Sequence, residues 1–435
     1  MLRHNLLGRL RLVLGASLWL AACSGDTTAS GADAARAPDV AADTATLDVA
    51  NDLASDARPD VAQPDVATPD AVADDAGLDA EDVKTPDDAA LDAELPPDAP
   101  RMDVPPRDVA GLLGVRCGVP APEGAPHALA APRFSGGTCP RLVPGRNTLR
   151  TANGDRTFIL VVPSGSDAGM TPMPMLVGWH WLGGSASGFV DRGQVQANAD
   201  RMRFIAAFPE KKGDLNIGIG SVRFDPVWPY LTFHTPARIE EEAQFFDDIL
   251  ACVSAQYPVD LDCVSTAGVS AGALWTAQLA QVRSERLASA IVLSGGIGPA
   301  TTLGAGLIDA RTWSSARHRM PMLILWGGTI DQCGLNFNTA SRNLENATGR
   351  AGHFIEECLH NCGHTVPPVD PMYGIGAIWQ FFVDHPYWLA AGDSPYLASG
   401  LPVSAPTWCA IGAGHATQRV GSCPDPTMSC PVPAL

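Results

Sequence analysis

"CVSTAGVSAGALWTAQLAQV", residues 263–282, reads as two elements joined by a corner. "CVSTA" is short, apolar and β-prone, as a buried strand requires, whereas "AGALWTAQLAQV" is long and rich in Ala and Leu, as a helix requires. Between them "GVSAG" sets Ser270 between Gly268 and Gly272. Glycine on both sides of a serine leaves room for a tight strand-to-helix turn that lifts the hydroxyl clear of the strand end. The pattern alone recurs by chance, and a plain packing turn is the alternative; at such a junction the serine is a candidate nucleophile.

The surroundings support a sheet. Apolar runs recur as "RTFILVVPS" from Arg156, "MPMLVGWH" from Met173, "RFIAAF" from Arg203, "ASAIVLSGG" from Ala288, "MPMLILWGG" from Met320 and "GHFIEEC" from Gly352. Runs apolar on both alternating faces belong to strands covered on both sides. Helical patterns fall between them, from about Pro236 to Tyr257, from Ala271, and across "GAIWQFFVDH". The expected fold class is α/β, a doubly wound, mostly parallel sheet over residues 113–435.

A serine hydroxyl needs a base, and the base needs an orienting acid. After the run "MPMLILW" comes "GGTIDQCG", which sets Asp331 in the loop at a strand's carboxyl end. After "HFIEEC" comes "LHNCGHTVPP", which offers His364, with His360 as the alternative base. Asp331 as an ordinary turn residue is the competing reading. A developing oxyanion needs backbone donors. The amide of Ala271, next after the serine, is one candidate; the glycine-rich "HWLGGSAS" supplies Leu182 as the other, or Trp181 in its place. The aromatics Phe224, Trp228, Tyr230 and Phe233, in the stretch Pro209 to Pro236, are read either as a wall of the cleft or as ordinary core.

The amino-terminal part is of another kind. Arg3, Arg9 and Arg11 precede a short apolar run ending in "LAAC", residues 20–23. This reads as a secretory signal over residues 1–22, with a lipobox-like end that implies lipidation of Cys23 and an extracytoplasmic, membrane-anchored protein; an ordinary secretory signal that merely ends near a cysteine is the alternative. Residues 23–112 are rich in Asp, Ala and Pro, repeat "PDVA" at Pro38, Pro59 and Pro64, and lack aromatics. Such a chain cannot bury enough apolar surface to offset its entropy and is expected to be a disordered linker. From Ser24 to Leu112 it carries 22 Asp and Glu against 5 Lys and Arg, nearly all of the chain's net −18. The acidity therefore says nothing of the substrate, and nucleic acid is not an expected partner.

Eleven cysteines leave ten once Cys23 is set aside, an even number that suits disulfides in an oxidising compartment. Cys252 and Cys263 flank a ten-residue connection and are the expected local bridge. No helical metal motif or CxxC pair occurs, so no metal and no cofactor are expected.

"HWLGGSA", "IEEEAQFFDDIL", "YPVDLDCVSTAGVSAGA", "GGTID" and "GHTVPP" together resemble the secreted poly(3-hydroxybutyrate) depolymerase and feruloyl or acetylxylan esterase group of the α/β-hydrolases, from about Arg146 to Trp388. The resemblance implies an ester hydrolase acting on polyhydroxyalkanoate or plant cell-wall esters, with Ser270, Asp331 and His364 as its triad. It also implies a structural paired-acid position at Glu241 and Glu242. The chain departs from the pattern at Trp181, where glycine is usual, and at Val366, where an aromatic is usual. A serine peptidase of the same fold and a non-catalytic surface binding protein are the other readings.

Overall fold

The structure is a computed structural model that describes residues 109–165, 171–215, 217–219, 222–298, 308, 313, 316–369 and 374–423. The signal segment, Cys23 and all but the last few residues of the expected linker lie outside the described residues.

Within the described residues the strands are β1 (Gly145–Thr151), β2 (Gly154–Val161), β3 (Met173–Trp179), β4 (Ile205–Pro209), β5 (Ile217–Ile219), β6 (Val222–Phe224), β7 (Val259–Val269), β8 (Ser289–Leu293), β9 (Met322–Trp326), β10 (Ile355–Leu359) and β11 (Cys409–Ile411). Nine of them form one sheet in the order β1-β2-β4-β3-β7-β8-β9-β10-β11, and β5 pairs only with β6. From β4 to β10 every neighbouring pair is parallel; β1, β2 and β11 run antiparallel at the two edges. Each expected apolar run is a strand. The edges β1 and β11 were not expected, because "GRNTLRT" buries only Asn147 and Leu149 and "CAI" is three residues long. A half-exposed edge carries little of the hydrophobic signal that marks a central strand.

Helices cover both faces. On one lie α3 (Pro236–Ser254), α4 (Ala271–Val282) and α5 (Phe337–Ala351); on the other lie α1 (Ala186–Arg192), α2 (Val195–Met202) and α6 (Gly374–Val383). Strand alternation splits the core accordingly. Met322, Ile324 and Trp326 of β9 face the first layer, while Leu323 and Leu325 face the second. Helix α3 starts where Thr235 accepts the Arg238 amide and Pro236 occupies the first turn, two strong start signals. Its Glu242 is fully buried, ion-paired with buried Arg156 of β2 and, at 2.9 Å, with Arg238; Glu241 pairs with Lys212.

The expected Cys252–Cys263 bridge is wrong. Cys252 is bonded to Cys139 and Cys263 to Cys117. The cause is the two-residue period of β7. Val264 faces the α3 side, so Cys263 points through the opposite face, whereas Cys252 lies on the core face of α3. Each is captured instead by the segment that precedes β1, which also lays His127 and the Ala128 amide on Asp262 and Ser135 on Asp248. Cys358–Cys409 staples β10 to β11, and Cys362–Cys423 ties the loop after β10 to the carboxyl-terminal segment.

Candidate active site

Ser270 stands at the end of β7, on the amino-terminal boundary of α4, with φ 56° and ψ −120°. That left-handed backbone is costly for a residue with a Cβ and persists only where its surroundings impose it. They do so here through both flanking glycines. A Cβ on Gly268 would stand 2.2 Å from the Gly272 carbonyl oxygen, and one on Gly272 would stand 2.0 Å from that of Trp179. Strand β7, helix α4 and the end of β3 therefore meet at closest approach around this serine.

The expected partners converge on it. His364 Nε2 lies 2.8 Å from Ser270 Oγ, and His364 Nδ1 lies 2.7 Å from Asp331 Oδ1. Asp331 is fully buried, and its second oxygen accepts from Ser294 Oγ and from the Gly327 amide, each at 2.8 Å. Burial by itself would raise this carboxyl; the hydrogen bond and charge of His364, with the Gly327 and Ser294 donors, outweigh it and hold the group below the usual aspartate range. Phe337, the first residue of α5, stacks on the imidazole with ring centroids 4.1 Å apart, while its amide donates to the Asp331 carbonyl. An ionised carboxylate bound to one imidazole nitrogen leaves the other free to accept the serine proton, which is what activates a hydroxyl for attack.

Ser294, Gly327 and Phe337 were not singled out in the sequence. Ser294 could have been, since it directly follows β8 in "LSGG", a strand-to-loop junction of the kind that carries Asp331. His360, the alternative base, is fully buried, its Nδ1 accepting the Cys362 amide, and burial pushes its pKa down to about 4. It has no bond to Ser270 among the described residues.

The Ala271 amide begins α4 directly after the serine, and the 179–182 loop closes over the same corner, with the His180 carbonyl as well as that of Trp179 against Gly272. That loop is held from below. Trp228 donates to the His180 carbonyl at 2.8 Å and meets Trp179 edge-on at 5.0 Å. Trp228 and Tyr230 are thus core rather than cleft wall; Phe233 is half exposed, and the Phe224 side chain lies outside the described residues. Trp181, one of the departures from the expected pattern, turns over α1, against Phe189 and under Arg192.

No family model matches the chain, and no curated protein matches it. Among solved structures, one described as the complex of a serine-to-cysteine variant of pOPH with DMSO is similar over 63% of this chain and 96% of its own, with TM-score 0.51 and 16% identity. Native pOPH is similar over 63% and 97%, with TM-score 0.47 and 18% identity, and a ferulic acid esterase over 55% and 96%, with TM-score 0.41 and 17% identity. At these identities the likeness is one of fold. The strand order, the strand–serine–helix corner and the order serine, aspartate, histidine along the chain give this protein the α/β-hydrolase fold.

Proposed function

We propose that the protein is a serine hydrolase of carboxylic esters. The observation that carries this reading is the unbroken relay from Ser270 through His364 to buried Asp331, at 2.8 and 2.7 Å, on a serine held at positive φ. Ser270 Oγ attacks the ester carbonyl while His364 Nε2 takes its proton. The negative oxygen of the tetrahedral intermediate is received by the amides of Ala271 and Leu182. His364 then gives the proton to the departing alcohol, and water, deprotonated by the same nitrogen, releases the acid from the acyl-enzyme. Asp331 keeps the imidazole in the tautomer that this exchange needs.

The motif resemblance supports polyhydroxyalkanoate or plant cell-wall esters as the substrate class. The "LAAC" end of the signal segment supports a lipid anchor at Cys23, the composition of residues 23–112 supports a tether, and the disulfides support an oxidising, extracytoplasmic setting.

The test is Ser270→Ala. A fluorophosphonate should label the wild type at Ser270 alone. The variant should lose the label and about 10⁴-fold or more of turnover on short acyl esters, polyester films and feruloylated or acetylated xylan. A variant that keeps a tenth of wild-type hydrolysis, a loss of only ~1.4 kcal/mol, overturns the reading.

A further inference from the structure

His364 must meet two partners at once, yet it sits on a five-residue loop, "HNCGH", that leaves the end of β10. Its inner edge hangs from the end of β9, where the His360 amide donates to the Trp326 carbonyl at 3.0 Å and the Gly363 amide to the Gly327 carbonyl at 3.2 Å. Its outer edge is held by a different part of the chain. The Arg419 amide donates to the Leu359 carbonyl at 2.9 Å, and Arg419 Nη1 donates to Asn361 Oδ1 at 2.8 Å. Asn361 Nδ2 returns a bond to the Gly421 carbonyl at 2.8 Å, and Arg419 Nη2 donates to the Ser422 carbonyl at 2.9 Å, so the guanidinium stiffens its own segment while gripping the loop. Cys362–Cys423 closes the grip two residues before His364. Gln418 reaches across to the acid loop as well. Its Nε2 donates to the His360 carbonyl at 3.3 Å and lies 2.2 Å from where a Cβ on Gly328, three residues before Asp331, would stand.

We propose that residues 418–423 are a strap that positions His364 against Asp331 and Ser270, with Cys423 and Arg419 as positioning residues for the hydrolytic reaction. The argument lies in where the contacts converge. Cys117–Cys263 and Cys139–Cys252 hold the segment before β1, and Cys358–Cys409 staples an edge strand. Every contact named above between the strap and the rest of the chain falls on Leu359, His360, Asn361, Cys362 or Gly328, the residues that lead into the base and the acid. Small displacements at such groups cost rate steeply, because proton transfer needs both hydrogen bonds formed together.

The inference rests on the esterase reading for its kinetic arm, and a second arm is independent of it. In the full chain, Cys362→Ser combined with Cys423→Ser, and separately Arg419→Ala, should lower kcat by about ten-fold per fluorophosphonate-titrated site while KM changes by less than about two-fold. Arg419→Lys, which keeps a donor for Asn361, should recover most of the loss. In proton spectra, the low-field resonance of the His364 Nδ1 proton bonded to Asp331 should broaden or vanish in the cysteine double variant while the fold's other signals persist. The proposal is overturned if kcat per titrated site stays within two-fold of wild type, if the loss is explained by fewer titrated sites, or if the low-field resonance is unchanged. If Ser270→Ala keeps its activity, the esterase reading falls, and the resonance alone still decides the strap.

Discussion

Asp331 in the loop after β9, Glu345 on α5 and Glu356 on β10 are buried carboxyls whose pKa values move in opposite directions. Asp331, at the carboxyl end of β9, is met by His364, Ser294 and the Gly327 amide and stays ionised despite complete burial. Glu356 on β10 and Glu345 on α5 are as deeply buried but meet other acids. Burial first, then Asp384, pushes Glu356 to about 8; burial first, then Glu357, pushes Glu345 to about 8 against the pull of Arg342. Among the described residues, Glu345 Oε1 has no hydrogen-bond partner. Burial disfavours the charge in both places; the donors decide the outcome. A carboxylate kept charged in the interior implies that its charge is used, whereas one that is more easily protonated is tolerated as a neutral acid.

Removing the charge from the first region should have the largest effect. Asp331→Asn keeps the shape of the site but no longer favours the imidazole tautomer that accepts the serine proton, so turnover should fall about 10⁴-fold with modest loss of folding stability. Steady-state kinetics beside a melting curve checks it, and equal losses in both would mean that Asp331 is merely structural.

Ser294→Ala removes one of the two donors to Asp331 Oδ2 and leaves the Gly327 amide in place. Turnover should fall about ten-fold with KM nearly unchanged, in line with ~1.5 kcal/mol, the lower end for one hydrogen bond to a charged group. No change would show that the amide alone holds the carboxylate.

The second region is tested by pH. A carboxyl raised in the folded state contributes stability that is full below its unfolded pKa, near 4.5, and is lost as pH rises through the folded value of about 8. Glu345→Gln should therefore melt close to wild type at pH 5 and a few degrees higher at pH 9, on the order of 2–4 °C. Asp331 has the reverse sign, since its contribution is lost only as pH falls through its depressed folded value. Equal shifts at both pH values for Glu345→Gln would mean that the carboxyl is not neutral in the fold.

Much of this was legible in the sequence because it depends on local chemistry. Buried parallel strands are apolar on both faces, so β2, β3, β4, β7, β8, β9 and β10 stand out as runs. The glycines at 268 and 272 are required because a Cβ there would stand 2.2 and 2.0 Å from a carbonyl oxygen, and they mark Ser270 before any fold is known. The order of Ser270, Asp331 and His364 follows from strands that each deliver one loop to the same end of the sheet. The bridge expected between Cys252 and Cys263 failed because closeness along the chain does not say which face of β7 a side chain takes. Phe337 and the strap at 418–423 were equally hidden, since each acts through a contact between segments far apart in sequence, and Ser294 showed only as a strand-end serine with no partner named. Residue type and spacing determined which groups can do chemistry here; only the packing of distant loops decided which neighbours hold Asp331 charged and His364 in place, because burial and donor geometry exist only once the chain has closed on itself.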